Sequence, residues 1–231
     1  MNPKRALLQL QNGTTEERGS AMEALAEAGH AAALPTLAAL LSDADHSIRY
    51  QAAMAIGRIL RQKPPVGAER TEELIAALQP ALRGEDMWLR MAATAALVSL
   101  GEAAVPSLVH ALQDDQAAVR RAAAKALGKL GDAAALADLL RALTDVDVST
   151  RRFAAQALGR IGHAAAVAAL GDSLRDADRK VREASGVALG KIGRPAAPIL
   201  IEALSDPDPE IGMHAIFALR AMNYSPQEGE G

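Results

Sequence analysis

The residues most able to do chemistry here are aspartates and arginines, because they recur in register. Asp43, Asp114, Asp145 and Asp176 each stand six positions ahead of Arg49, Arg120, Arg151 and Arg182. An array of carboxylates beside guanidiniums could act as an acid–base or anion-binding centre. Both types also have structural uses. An aspartate at a helix start accepts backbone N–H bonds, and an arginine can serve two carboxylates with its planar fork.

The other candidates are weaker. The five histidines are scattered, with no i, i+4 pair and no His-Glu dipeptide, so no helical metal site is spelled out. His30 and His163 follow glycines at equivalent turns, His46 lies in a turn, and His110 lies on a helix. There is no cysteine, which excludes thiolate metal sites, disulfides and cysteine catalysis. No Gly-x-Ser-x-Gly elbow or Gly-rich phosphate loop occurs. No catalytic residue, metal or cofactor is expected, and the expected role is non-enzymatic.

The elements that carry these residues form a repeat. The stretch Asp114 to Leu143 reads as a turn, a helix from about Ala118 to Leu130, a break at Gly131-Asp132, and a helix from about Ala134 to Leu143. Val119, Ala123, Leu127 and Leu130 give the first helix one apolar face. The unit recurs with anchoring arginines at Arg18, Arg49, Arg90, Arg120, Arg151 and Arg182, and Gly212 takes that place in the last unit. The spacings are 31, 41, 30, 31, 31 and 30 residues. A period near thirty with a helix pair in each is the signature of an α-solenoid. The expected fold is all-α, seven helix pairs in a right-handed superhelix, forming one domain over residues 1–223.

The 41-residue spacing marks an insertion at about 61–70, where two prolines and a glycine break the helix. Helix is expected to resume near Thr71, with Thr-Glu-Glu as N-cap and first turn. Pro35, Pro106 and Pro198 fall near the starts of leading helices, where a missing N–H costs least. The last unit departs from the pattern, as a solvent-facing cap would. Residues 224–231 are expected to be a disordered tail.

Composition agrees. Half the residues are apolar and only five are aromatic, so the core must be closely packed Ala, Leu, Val and Ile. The net charge of −3 makes no global case for nucleic acid as a partner. No stretch approaches the length needed to cross a bilayer, and the first ten residues lack a signal-peptide pattern. No membrane partner and a cytoplasmic location are the expectations.

The Asp-x5-Arg register with VRxxAAxALGxIG, followed by a helix of the PSLVHAL or PILIEAL kind, resembles the HEAT-repeat family and is most similar to its PBS-lyase HEAT-like subclass. The resemblance covers about residues 3 to 223. It implies that the Asp–Arg pairs form a structural ladder, the aspartate capping a helix and the arginine pairing with acids of its own or neighbouring units. It also implies that the arginine-bearing second helix lines a concave inner surface. The ALGxIG glycines are read as sites of close helix approach.

Outward positions on that second helix are those one, two, five and nine past the anchor, and two before it. They hold Tyr50, Met54 and Arg58; Trp88, Met91 and Ala92; Arg121, Lys125 and Lys129; Arg152, Phe153 and Arg160; Lys180, Glu183, Ala184, Val187 and Lys191; and Glu210, Met213, His214 and Phe217. Four of the five aromatics and eight bases fall on this stripe, while Glu23 and Glu27 oppose them in the first unit. Aromatic, Met and Arg side chains are those enriched at interface cores. The candidate binding face is therefore Tyr50, Met54, Trp88, Met91, Arg121, Lys125, Arg152, Phe153, Arg160 and Phe217. A scaffold holding a protein partner with an acidic or amphipathic segment is expected. The alternatives are a bilin lyase-like or accessory protein, which the subclass implies, and a nucleic-acid-binding HEAT-like protein, which modest basicity disfavours.

Overall fold

The computed structural model describes residues 2–63 and 67–224. Residues 64–66 of the expected insertion and 225–231 of the expected tail lie outside them. Among the described residues there are fourteen α-helices and no strand. They are α1 (Pro3–Asn12), α2 (Thr15–Glu27), α3 (Leu34–Leu40), α4 (His46–Gln62), α5 (Ala68–Arg83), α6 (Met87–Ser99) and α7 (Val105–Ala111). They continue with α8 (Ala117–Leu130), α9 (Leu136–Ala142), α10 (Val148–Ile161), α11 (Val167–Asp172), α12 (Arg179–Ile192), α13 (Ala197–Ala203) and α14 (Pro209–Ala221). The seven helix pairs are those the repeat predicts, and the fold is an α-solenoid.

The chain divides into two compact units, Met1–Leu108 and Val109–Gly231. In the first, the trailing helices α2, α4 and α6 pack in series; in the second, α8, α10, α12 and α14 do so. The core is Leu, Ile and Ala: Leu37, Ile48 and Ile56 in the first unit, and Leu127, Leu139, Leu158 and Leu189 in the second, are fully buried.

Local chemistry sets the helix ends. Asp45, Asp86, Asp147, Asp178 and Asp208 cap α4, α6, α10, α12 and α14 by accepting first-turn N–H bonds. These caps lie two residues after the register aspartates, which corrects the expected assignment. Thr71 is not a cap either. α5 begins at Ala68 behind Gly67, and the Thr71 hydroxyl donates back to the Gly67 carbonyl at 3.1 Å. α8 and α10 end on Gly131 and Gly162, at φ 69° and 71°, a left-handed backbone that suits glycine. Most leading helices open with a 3-10 turn, and Ala33, Ala104, Ala135, Ala166 and Ala196 are completely buried there.

Candidate functional site

The aspartate–arginine array resolves into a ladder in which every group is used for structure. Arg120 donates through Nε and Nη2 to Asp145 of the following unit at 2.6 and 2.8 Å, and through Nη1 to the Asp114 carbonyl at 2.8 Å. Arg151 repeats this with Asp176 at 2.7 and 2.9 Å and the Asp145 carbonyl at 2.9 Å. Each register aspartate also accepts the N–H two residues on, as Asp145 does from Asp147 at 2.7 Å. Its carboxylate thus locks the turn ahead of the cap while holding the preceding unit's arginine.

The electrostatics follow the geometry. Burial pushes Asp145 and Asp176 up, but their arginine bonds, the turn N–H bonds and the nearby positive charges outweigh it and hold both below the ordinary carboxylate value. In the first unit the Arg18 bond at 2.5 Å does most to hold Asp43 down. At the last step Arg182 pairs with Glu210, while Asp206 pairs with Arg175 at 2.6 Å. A hollow of about 400 Å³ lies among Asp145, Arg151, Arg175 and Asp176, yet these charges are already matched by ladder partners. Among the described residues no cluster could hold a metal ion.

The open face of the trailing helices is different. In the first unit Met54, Trp88 and Met91 are 39, 60 and 50 % exposed, and Tyr50 is half-buried. Tyr50, Met54 and Arg58 of α4 face Met22, Glu23 and Ala26 of α2 across a cavity of about 290 Å³. Gly19 helps to open it, since a Cβ there would come within 2.7 Å of the Gln51 Oε1. Arg58 lies 3.8 Å from Glu27 at its rim. Sequence reasoning chose Tyr50 and Met54 but missed Gly19 and Met22. The signal was present: Gly19 is the only glycine one position past an anchoring arginine. Trp88 and Met91 stand on α6, which packs on α4, but they do not line this cavity.

In the second unit the face is basic. Lys125 and Arg152 lie over the half-buried Phe153 ring, 5.9 and 4.7 Å from its centroid. Arg121 stands 3.6 Å from Asp147, and Arg160 reaches the Gly128 carbonyl at 3.4 Å. Lys125, Lys129, Arg160, Lys180 and Lys191 are exposed. Phe217, 59 % exposed, stands on α14, two trailing helices beyond Phe153.

The position two past the anchor is not outward. It turns toward the preceding trailing helix, so Ala92, Ala184 and His214 are buried at 3, 6 and 7 %. Phe153 occupies this register too, which is why Lys125 of the preceding helix covers its ring. Glu210 also leaves the free stripe, since Arg182 occupies its carboxylate.

The HEAT-repeat family model matches residues 4–98, 105–190 and 167–228. This chain belongs to the HEAT-repeat family. The PBS lyase HEAT-like repeat model matches residues 89–114. No curated protein matches the chain significantly. Among solved structures, the chain is 28 % identical to one in the complex of CpcE and CpcF of phycocyanin lyase from Nostoc sp. PCC7120, with a TM-score of 0.55 over 83 % of this chain and 77 % of that one. An engineered protein shares 22 % identity at a TM-score of 0.51, over 82 % of this chain and 96 % of that one. Kap95p in complex with RanGDP shares 17 % identity at a TM-score of 0.65 over 99 % of this chain but 36 % of that one. The last two likenesses concern the fold alone. No helix among the described residues is long and apolar enough to cross a membrane.

Proposed function

We propose that this HEAT-repeat chain is a non-enzymatic adaptor that holds a segment of a partner protein along the open face of its trailing helices. The observation that carries the reading is the exposure of Met54, Trp88 and Met91 at 39, 60 and 50 %, where alanine would fold equally well. Leaving large apolar side chains together in water marks an interaction surface. On the first unit the partner contributes an apolar side chain to the cavity beside Tyr50 and Met54. The second unit's face, taken by itself, offers Lys125, Arg152 and Arg160 and suits a negatively charged, amphipathic partner segment.

Trp88 is the sole tryptophan and supplies the test. Partners are identified by co-purification and mass spectrometry, and the interacting segment is titrated while Trp88 emission is followed. A blue shift on binding is expected. Replacing Trp88 by alanine, with binding followed by calorimetry, should weaken affinity by about 2 kcal/mol, as loss of a buried anchor does. Lys125→Glu with Arg160→Glu should mainly slow association and flatten its salt dependence. Unchanged affinity in both well-folded variants would remove the partner from this face.

A second reading has one specific support, the 28 % identity to the phycocyanin lyase complex together with the subclass match at residues 89–114. In that reading the bases of the second unit hold tetrapyrrole propionates. Absorbance after mixing with a bilin decides it: an unaltered bilin spectrum eliminates the reading.

A further inference from the structure

The cavity between α2 and α4 divides into an apolar lining and a polar one. Met22, Ala26 and Ala55 line it at 1, 1 and 3 % exposure, with Met54 and the half-buried Tyr50 beside them. Thioethers are soft and adaptable, so this lining accepts apolar anchors of several shapes. At about 290 Å³ the space falls at the small end of ligand pockets and suits a single side chain.

Three polar side chains share the lining, and two of them are already matched. The Gln51 amide donates to the Ser47 hydroxyl at 3.0 Å, and Arg58 lies 3.8 Å from Glu27. Glu23 is exposed and makes no ion pair or hydrogen bond among the described residues. Arg18, on the same helix, is committed to Asp43 at 2.5 Å. Glu16 and Glu27 hold open-face registers with Glu23, so α2 shows three acids there and no base. In the second unit the same registers carry Lys180, Lys125 and Lys129. The two faces, each taken by itself, are opposite in sign.

An apolar anchor that enters the cavity covers Glu23 along with Met54. A carboxylate stripped of water without a partner opposes binding, whereas a base set against it forms a charge-assisted hydrogen bond. We infer that the segment seated between α2 and α4 carries a lysine or arginine beside its apolar anchor, paired with Glu23. This pairing rests on the adaptor reading and gives the segment on the first unit a basic character. It is the reverse of the chemistry that suits the second unit.

Three synthetic pentapeptides serve as probes: blocked Lys-Lys-Leu-Lys-Lys and its counterparts with glutamine or glutamate in place of lysine. Each is titrated by NMR into the full chain carrying isotope-labelled methionine methyls. Met22 and Met54 then report on the cavity, and Met213 on the second unit. The lysine peptide should shift Met22 and Met54 and bind about tenfold tighter than the glutamine peptide, with the glutamate peptide weakest. Glu23→Lys should reverse that order, and Glu23→Gln should level it, both with the helical circular dichroism unchanged. Glu73→Lys alters the net charge equally but lies on α5, outside the cavity lining, and should keep the order. An order that Glu23→Lys leaves in place, or a lysine peptide that fails to move Met54, overturns the pairing. Equal affinities for the three peptides with Met54 shifted also overturn it, while leaving the apolar anchor of the adaptor reading intact. The Trp88 titration with the co-purified partner decides that reading separately.

Discussion

In residues 109–231 the arginines Arg120 and Arg151 each reach forward 25 positions to grip a carboxylate with two nitrogens. In residues 1–108 that reach succeeds once, at Arg18 and Asp43, through a single 2.5 Å bond that leaves the buried Arg18 Nε without a partner. It then fails. The next unit has Gly84 at the aspartate register, and Arg49 donates to the Asp43 and Ala44 carbonyls, at 2.7 and 3.0 Å. Both units stack helices by the same apolar packing. What differs is the polar cross-link, which requires a constant spacing and is lost where the spacing stretches to 41 residues. The hydrophobic stack tolerates insertion and the ladder does not.

The largest expected effect tests this contrast directly. Arg120→Ala or Arg151→Ala strands a carboxylate whose side chain is only 10–11 % exposed, and should cost about 3–5 kcal/mol in urea unfolding. Arg49→Ala removes hydrogen bonds to carbonyls alone and should cost about 1–2 kcal/mol. Equal losses at the three positions would mean that the carboxylate contacts add nothing. Partner affinity should be unaltered by all three at temperatures where the chain is folded.

Acid provides the next comparison. Asp145 and Asp176 titrate below their unfolded value, so the folded state binds fewer protons than the unfolded chain near pH 4. Their stabilisation is complete above the ordinary carboxylate range, about pH 4, and is lost as pH falls through the depressed folded values. The wild type should therefore weaken steeply as pH drops from about 5 toward 2, whereas Arg120→Ala should show a shallower fall. Parallel slopes in urea midpoints against pH would contradict the ladder as the source.

Much of this was legible beforehand, because the repeat period dictates which residues share a role. The seven pairs, the leading-helix prolines and the glycine contacts all follow from it. The aspartates were harder. Most repeats have two polar residues near the helix start, such as Asp43 and Asp45, and only the position of the first helical turn reveals which is the cap. Thr71 misled for the same reason, since α5 begins three residues before it. The stripe was misread at one register: Ala92, Ala184 and His214 have outward spacing on their own helix, but the preceding helix covers them. Periodicity within one helix shows which side is apolar; it does not show how far a neighbour wraps around that side.

The smallest effect separates the units by glycine. A Cβ at Gly159 would fall 2.6 Å from the Ala188 Cα, and one at Gly128 would fall 2.9 Å from the Ala157 Cα. Both obstacles are backbone atoms of a packed helix, which cannot swing aside as a side-chain tip can. Gly159→Ala should therefore cost about 1–3 kcal/mol, the scale of core overpacking. Gly57 holds the equivalent register in the first unit, but its nearest neighbour, the Ala96 backbone, would be 3.5 Å away, an ordinary contact. There the new methyl displaces nothing, while alanine is favoured over glycine inside a helix by about 1 kcal/mol. Gly57→Ala should be neutral or stabilising by up to that amount. Thermal melts of the two variants should move in opposite directions from the wild type. If both fell together, the looser packing at Gly57 would not exist in solution, and the difference between the units would reduce to the ladder alone.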